Sequence, residues 1–427
     1  MTKIKFPFFL FIQGDLKYMI KKKKKIYSPL INLIVFVSLL VATPFLMLQN
    51  YLQSFIGKLS LYMLNIGEME IPYIVIIALI IAIFFIIKNF KYLTKFRIIS
   101  LIGVVLLMII GQKLSDFYFN HKFYELQHNW HYFAYGIYAY IAYRYFKSKN
   151  KSDAKIILFT FLTAVSASTF DEYFQLHLSN RIFDIGDIGK DMWGTVIGTF
   201  FIFFVLKEGS IIKGDWRFRE KKMKNYLKNP FAVFCFELIF TVILLAVSAQ
   251  LTNIEYLVYS IFISVIFFLI FFFIFHFSQI KIINKIVISI LIIYILVQGF
   301  FFIKYRNDGI TYNSYGITVY KGIPLLFFDV MIFENGTFRF VDKKHDFNFR
   351  DKNTIYHYSN DILLIGSGDD NIGGNGFPEK EKPQFVFNTK KMKPLQIIIL
   401  KTPEACNKFN QLKKEGYNVL FIIHNTC

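Results

Sequence analysis

The chain has 427 residues, 55% of them hydrophobic and 19% aromatic, and a mean hydropathy of +0.44. Globular domains average roughly 45–50% apolar residues, so the composition excludes an ordinary soluble protein. The formal net charge is +20. The basic residues sit in short gaps between apolar segments and no nucleic-acid motif accompanies them, so the charge reads as that of membrane loops and no nucleic-acid partner is expected.

A span needs roughly 20 apolar residues to cross the hydrocarbon. About nine segments meet or approach this, at 29–48, 71–88, 97–113, 128–146, 155–173, 190–207, 230–250, 255–276 and 283–303. The fourth is the weakest, being rich in aromatics and carrying His131. The first is too long for the apolar part of a cleaved leader and lacks a small-x-small site, so it reads as an uncleaved anchor.

Lys21 to Lys25 hold the N-terminus in the cytoplasm. The inside loops are then 88–97, 147–155, 207–228 and 277–285, each basic. The positive-inside rule puts 114–127, 172–190 and everything after about 304 on the outer face. The organisation expected is a basic N-terminus (1–28), two spans (29–96), a motif-bearing membrane region (97–208), a basic loop (209–229), three more spans (230–303) and a separate domain (304–427). The fold class is a polytopic α-helical membrane protein with a C-terminal α+β domain.

The most informative membrane stretch is Asp171-Glu172-Tyr173-Phe174-Gln175, followed by Arg181, Asp184, Asp187, Asp191, Gly194 and Gly198. Ionisable groups at the edge of a lipid-soluble core are costly and are kept for pairing or function. Asp171 and Gln175 share one helix face, and so do His131 and Tyr135. Asp187, Asp191, Gly194 and Gly198 fall on another, where the glycines let a neighbouring helix approach closely. These residues predict a polar cluster where three helix ends meet, with Arg181 bridging carboxylates. Three readings stay open: an ion-pair network locking helix ends, a site for a lipid-linked or cell-wall ligand or an anion, and a metal or acid/base centre. No HExxH, serine-nucleophile or CxxC motif favours the last. Transport is weakly supported, because no inverted repeat or broken helix pair is visible.

The motif from Asp171 to Gly198, with His131-Tyr132-Phe133-Ala134-Tyr135-Gly136 upstream, resembles the VanZ-like family over roughly 97–208. Phe174 stands where that family often has His, and Asp191 where it usually has Asn. The resemblance implies a cell-envelope role linked to low-level resistance to the glycopeptide teicoplanin, without a defined reaction. Whether the chain is an enzyme, which cofactor it takes and how it oligomerises are not legible.

After residue 304 the segments become short and alternate with turn signals. Strands are expected at Gly316–Tyr320, Leu325–Phe333, Ile362–Ile365, Leu395–Leu400 and Val419–Ile423. One helix is expected over Pro403–Lys414, with Thr402 as N-cap and Gly416 as terminator. Gly366-Ser367-Gly368 reads as a flexible turn and Asp369-Asp370-Asn371 as a solvated loop. Cys235 reads as inert packing, while Cys406 and Cys427 are either a disulfide or two free thiols. Tyr315-Gly316-Ile317-Thr318-Val319, Asp361 to Gly368, and Thr402-Pro403-Glu404-Ala405 leading to Gly416 resemble the Mth938-like domain over about 310–424. That resemblance implies a β-sheet layer packed with one or two helices.

Overall fold

The computed structural model describes residues 28–42, 62–66, 69–73, 93–115, 126–177, 183–212, 216–251, 257–341, 345–347, 349–359, 361–377, 382–388 and 391–426, with four further positions between 76 and 84. The chain divides into two compact units, residues 1–112 with 122–241, and residues 113–121 with 242–427.

Among the described residues, the first unit starts with helix α1 (Pro29–Ala42) and a hairpin of β1 (Met63–Ile66) and β2 (Met69–Pro72). The hairpin corrects the start of the expected span at 71–88. Ile71 and Pro72 belong to a strand paired with Leu64 and Met63, and most of that span lies outside the described residues. Then come α2 (Lys95–Ser115), α3 (Leu126–Ser148), α4 (Asp153–Gln175) and α5 (Ile185–Phe200), which continues as a π-helical turn over Phe201–Leu206. A short α6 (Met223–Tyr226) precedes α7 (Pro230–Gln250), which runs into the second unit with α8 (Leu257–Phe277) and α9 (Lys281–Tyr305).

Among the described residues, six helices are long and apolar enough to cross a membrane: Lys95–Ser115, Asp153–Gln175, Ile185–Leu206, Pro230–Gln250, Val258–Phe277 and Lys281–Tyr305. α3 is as long but too polar to join them, because tyrosines recur along it. It is sheltered instead: Tyr132, Tyr135, Tyr138, Ala139, Ala142 and Tyr143 are all buried. Leu33, Phe36, Val37 and Leu40 of α1 pack on its core face.

Glycines set the α3–α5 contact. A Cβ on Gly198 would lie 2.6 Å from the Gly136 carbonyl oxygen, and one on Gly194 would lie 2.7 Å from that of His131. Backbone-to-backbone packing this close needs residues without side chains. α2 is fastened to α5 by Trp193, whose Nε1–H donates to the Leu107 carbonyl at 2.8 Å. Its indole fills the space that a side chain on Gly111 would need.

The first unit has two polar ends. At one, Lys207 Nζ donates to Asp153 at 3.1 and 3.2 Å and lies 4.6 Å over the Phe203 ring. Arg97 pairs with Glu208 at 3.2 Å at the same end. The other end holds His131, the end of α4 and the start of α5.

The C-terminal region of the second unit is α+β. Strands β3 (Ile310–Ser314), β4 (Ile317–Tyr320) and β5 (Ile323–Leu326) form an antiparallel meander. A six-stranded sheet combines β6 (Asp329–Ile332), β7 (Phe338–Val341), β8 (Ile362–Gly366), β9 (Gln384–Asn388), β10 (Lys393–Leu400) and β11 (Val419–Ile423) in the order β7-β6-β11-β8-β10-β9. β8 runs parallel to both β10 and β11, and the other pairs are antiparallel. Ile362-Leu363-Leu364-Ile365 and Val419 to Ile423 are buried without alternation. That is the pattern of strands covered on both faces. Helix α10 (Phe349–Tyr358) covers one face through Ile355, beside Phe347 and Phe377. Helix α11 (Thr402–Lys414) covers the other through Ala405, Cys406, Phe409 and Leu412.

Several local expectations need correction. The run Leu325–Phe333 is two strands, because Phe327 turns the chain with φ of 59°. α10, β3, β7 and β9 were not anticipated. Thr402 is not the N-cap of α11: Lys401 holds that position without a side-chain cap bond. The Thr402 hydroxyl is used elsewhere, accepting from Gly368 N–H and donating to the His424 carbonyl, both at 2.8 Å. Gly416, at φ of 88°, does follow the helix end. Cys406 is a buried free thiol, and burial pushes its pKa up to about 12. Cys427, its suggested partner, lies outside the described residues.

Asp361 ties three strand starts together. Its Oδ1 accepts from Lys393 Nζ at 2.7 Å, and its Oδ2 accepts from Asn418 Nδ2 at 2.9 Å and from Asn418 N–H at 3.2 Å. The Lys393 bond, helped by Asn418, holds this carboxyl below its usual range. Its stabilisation is therefore fully present above the ordinary carboxylate pKa near 4 and is lost as pH falls through the lower folded value. The side chain is 34% exposed, so solvent screening keeps the contribution to about 1 kcal/mol or less. In Asp361→Asn, acid unfolding of this region, followed by hydrogen exchange in the full chain, should be shallower between pH 5 and 2; a slope equal to wild type would refute the assignment.

Candidate functional site

The polar end of the first unit is built from three helices. α3 supplies His131 and Tyr135. α4 supplies Ser168, Asp171, Glu172 and Gln175. The start of α5 supplies Asp184, Asp187, Lys190 and Asp191.

Asp191 is the hub. It is 2% exposed, yet both of its oxygens are occupied. Oδ1 lies 2.8 Å from His131 Nδ1, and Oδ2 accepts from the Ser168 hydroxyl at 2.7 Å. Hydrogen bonds to a charged group contribute about 1.5–3 kcal/mol each, which offsets the desolvation of a carboxylate at this depth. The opposite imidazole nitrogen, His131 Nε2, is 3.7 Å from Asp187 Oδ1, which also takes a 2.7 Å bond from Lys190 Nζ. One imidazole thus links two carboxylates one helical turn apart on α5.

A second branch closes the α4–α5 connection. Glu172, 1% exposed, accepts from Gln175 Nε2 at 2.9 Å through Oε1 and from Asp184 N–H at 2.9 Å through Oε2. Asp184 in turn caps α5, its Oδ1 accepting from Gly186 N–H at 2.7 Å. Asp187 in the first turn adds negative charge where the helix dipole favours it.

Two polar atoms are left over. Asp171 Oδ2 takes a long 3.4 Å bond from Gln175, while Oδ1 is buried with no hydrogen-bond partner among the described residues. The Tyr135 hydroxyl is buried too, beside a Ser168 hydroxyl that is committed to Asp191. A partner that donates to Asp171 and meets the Tyr135 hydroxyl would complete the network.

The structure thus brings together His131, Tyr135, Asp171, Glu172, Gln175, Asp184, Asp187 and Asp191, with Gly194 and Gly198 one and two turns further along α5. Arg181, the expected bridge between carboxylates, lies outside the described residues. Lys190 bridges to Asp187 instead and was not anticipated. Neither was Ser168, although it lies one turn before Asp171 and Glu172 on the same helix. Among the described residues no group of three metal-ligating side chains is found.

The second unit holds another buried polar cluster that the sequence did not mark. Asp329 and His424 are both fully buried, with Oδ2 2.6 Å from Nδ1. Asp329 Oδ1 accepts from Asn425 N–H at 3.0 Å. The Asn425 side chain accepts from the Thr318 hydroxyl and donates to the Phe328 carbonyl at 2.7 Å. The signal available was slight: a histidine directly after the apolar run Val419 to Ile423.

Fold and site define a class, a chain with several helices long enough to cross a membrane, a buried polar network at one helix-bundle end, and an α+β region after the last helix. No family model matches the chain, and no curated protein matches it. Among solved structures, one titled MT938 is similar at 19% identity, over 28% of this chain and 98% of that one, with a TM-score of 0.21.

Proposed function

We propose that this chain is a VanZ-like multi-pass membrane protein of the cell envelope, with about nine spans, a cytoplasmic N-terminus and an Mth938-like domain on the outer side. Its function is to bind the polar head of a lipid-linked or cell-wall component at the outer ends of α3, α4 and α5. The observation that carries this reading is Asp171 Oδ1, buried beside the Tyr135 hydroxyl and without a hydrogen-bond partner among the described residues. Among the described residues, a lock that only fastened helix ends would have no reason to leave a buried carboxylate oxygen without a donor, since such an atom costs about 1–3 kcal/mol. The VanZ-like motif adds the envelope setting and the link to glycopeptide tolerance.

A second reading is favoured by the same atoms. A carboxyl with an oxygen unpartnered among the described residues, near a histidine between two aspartates, has the parts of an acid/base pair. The site would then act on an envelope lipid.

One experiment separates them. Cells expressing the chain should tolerate several-fold more teicoplanin, and Asp187→Ala should remove that gain at equal membrane abundance. Purified wild type incubated with envelope lipid extract should convert nothing. Conversion that is lost in Asp171→Asn would establish the enzyme instead, and an unchanged teicoplanin response in Asp187→Ala would sink the binding reading.

A further inference from the structure

The meander β3-β4-β5 is apolar on both faces. Tyr320 and Leu325 join the buried core. The opposite side carries two cross-strand rows, Tyr312–Val319–Pro324 and Ser314–Ile317–Leu326, with a single polar member between them. Tyr312 is 55% exposed and Leu326 44%. An antiparallel sheet with one solvated face alternates apolar inside with polar outside. The outward rows break that alternation.

The β4–β5 turn fixes where this face lies. Gly322, at φ of 75°, packs on the backbone of α9: a Cβ there would collide with the Phe301 carbonyl oxygen and lie 2.7 Å from its carbon. Gln298 Nε2 donates to the Gly322 carbonyl at 2.8 Å. Phe301 and Gln298 come about one and two helical turns before α9 ends at Tyr305. α9 is long and apolar enough to cross a membrane and has no buried residue. The exposed Lys304 and Arg306 at its end are charges of the kind that reach for headgroups. The turn therefore sits on the lipid side of those charges. A backbone carbonyl at that depth has no water to bond and needs an internal donor. Gln298 is that donor, a polar side chain inside the otherwise apolar stretch from Ile290 to Ile303.

We propose that the β4–β5 turn and the outward face of the meander are seated in the interfacial layer of the bilayer that α9 crosses. The α+β region is then fixed against the membrane surface instead of hanging on a free tether. Tyrosine suits that layer, because its ring is apolar and its hydroxyl stays wet. Phe327, 61% exposed, extends the face beyond Leu326. Surface seating of this kind gains from buried apolar area and from the attraction of cations such as Lys304 and Arg306 to anionic lipid. The inference rests on α9 as a span and not on the polar site of α3, α4 and α5.

The test is spin-label accessibility in the full chain, carrying Cys235→Ala, Cys406→Ala and Cys427→Ala and reconstituted into phosphatidylcholine–phosphatidylglycerol vesicles. Single labels are placed through Pro324→Cys and Leu326→Cys, with Ile292→Cys in α9 and Asp370→Cys as references. Asp370 is exposed in the loop after β8. Lys321 reaches the β6–β7 turn at Gly336, and β6 runs antiparallel to β11, the parallel neighbour of β8, so that loop is at the far end of the sheet. Labels at 324 and 326 should collide several-fold more with dissolved oxygen than with a water-soluble nickel chelate, as the label at 292 does, while the label at 370 shows the reverse. Nickel access at 324 or 326 equal to that at 370 would overturn the proposal by leaving the face in water. Shielding from both reagents would overturn it in favour of a covering protein surface, a second copy included. Nickel access at 292 would overturn the reading of α9 as a span, and this proposal with it.

Discussion

Asp329→Ala should be the most damaging single change in the C-terminal region, lowering its stability by about 3–5 kcal/mol. The residue is fully buried and holds two partners, the His424 imidazole and the Asn425 amide. Removing it strands both in a core from which water is excluded. It also strands the strand connection, since Asp329 opens β6 while His424 and Asn425 follow β11, its sheet neighbour. Replacing one member of a buried pair costs more than the pair itself contributes, because the remaining group keeps its desolvation penalty. Hydrogen exchange on the full chain should show amides of β6 and β11 losing protection together. Asp329→Asn, which keeps the size and one acceptor, should lose less. Equal protection in wild type and Asp329→Ala would show that the dyad is not part of the stabilising core.

Gly194→Leu should disrupt the membrane unit by more than about 3 kcal/mol, the upper range for overpacking a well-filled core. Its first side-chain atom would already meet the His131 carbonyl at 2.7 Å, Tyr132 Cα at 3.0 Å and Tyr135 Cβ at 3.0 Å. Two of these three contacts are backbone, so no rotamer change relieves them. α3 would have to move away from α5, and the 2.8 Å contact between His131 and Asp191 would open with it. A fall of several degrees in the melting temperature of the detergent-solubilised protein is expected, with Gly194→Ala intermediate. An unshifted melting temperature in Gly194→Leu would mean that the helices do not pack through this glycine.

The candidate site was legible in the sequence to the extent that periodicity governs it. His131 and Tyr135, Asp171 and Gln175, and Asp187 with Asp191 were placed on shared faces because an α-helix repeats every 3.6 residues. Ser168 and Lys190 obey the same arithmetic but are ordinary residues in their local settings. Only the depth of Asp191 makes a serine hydroxyl from α4 necessary. The Asp329–His424 dyad was invisible for a different reason. Its members are 95 positions apart, and nothing local to either predicts the other.

The amino-acid order by itself determined the long apolar helices, the polar cluster near the α4–α5 connection and the change of character after residue 304, because each follows from hydrophobic period and charge spacing. Tertiary structure alone decided which carboxylates are paired, that Thr402 serves the strand ends instead of its own helix, that Leu325–Phe333 breaks at Phe327, and that a histidine and an aspartate meet inside the sheet. These are contacts between distant segments, and their energies depend on burial that no local pattern encodes.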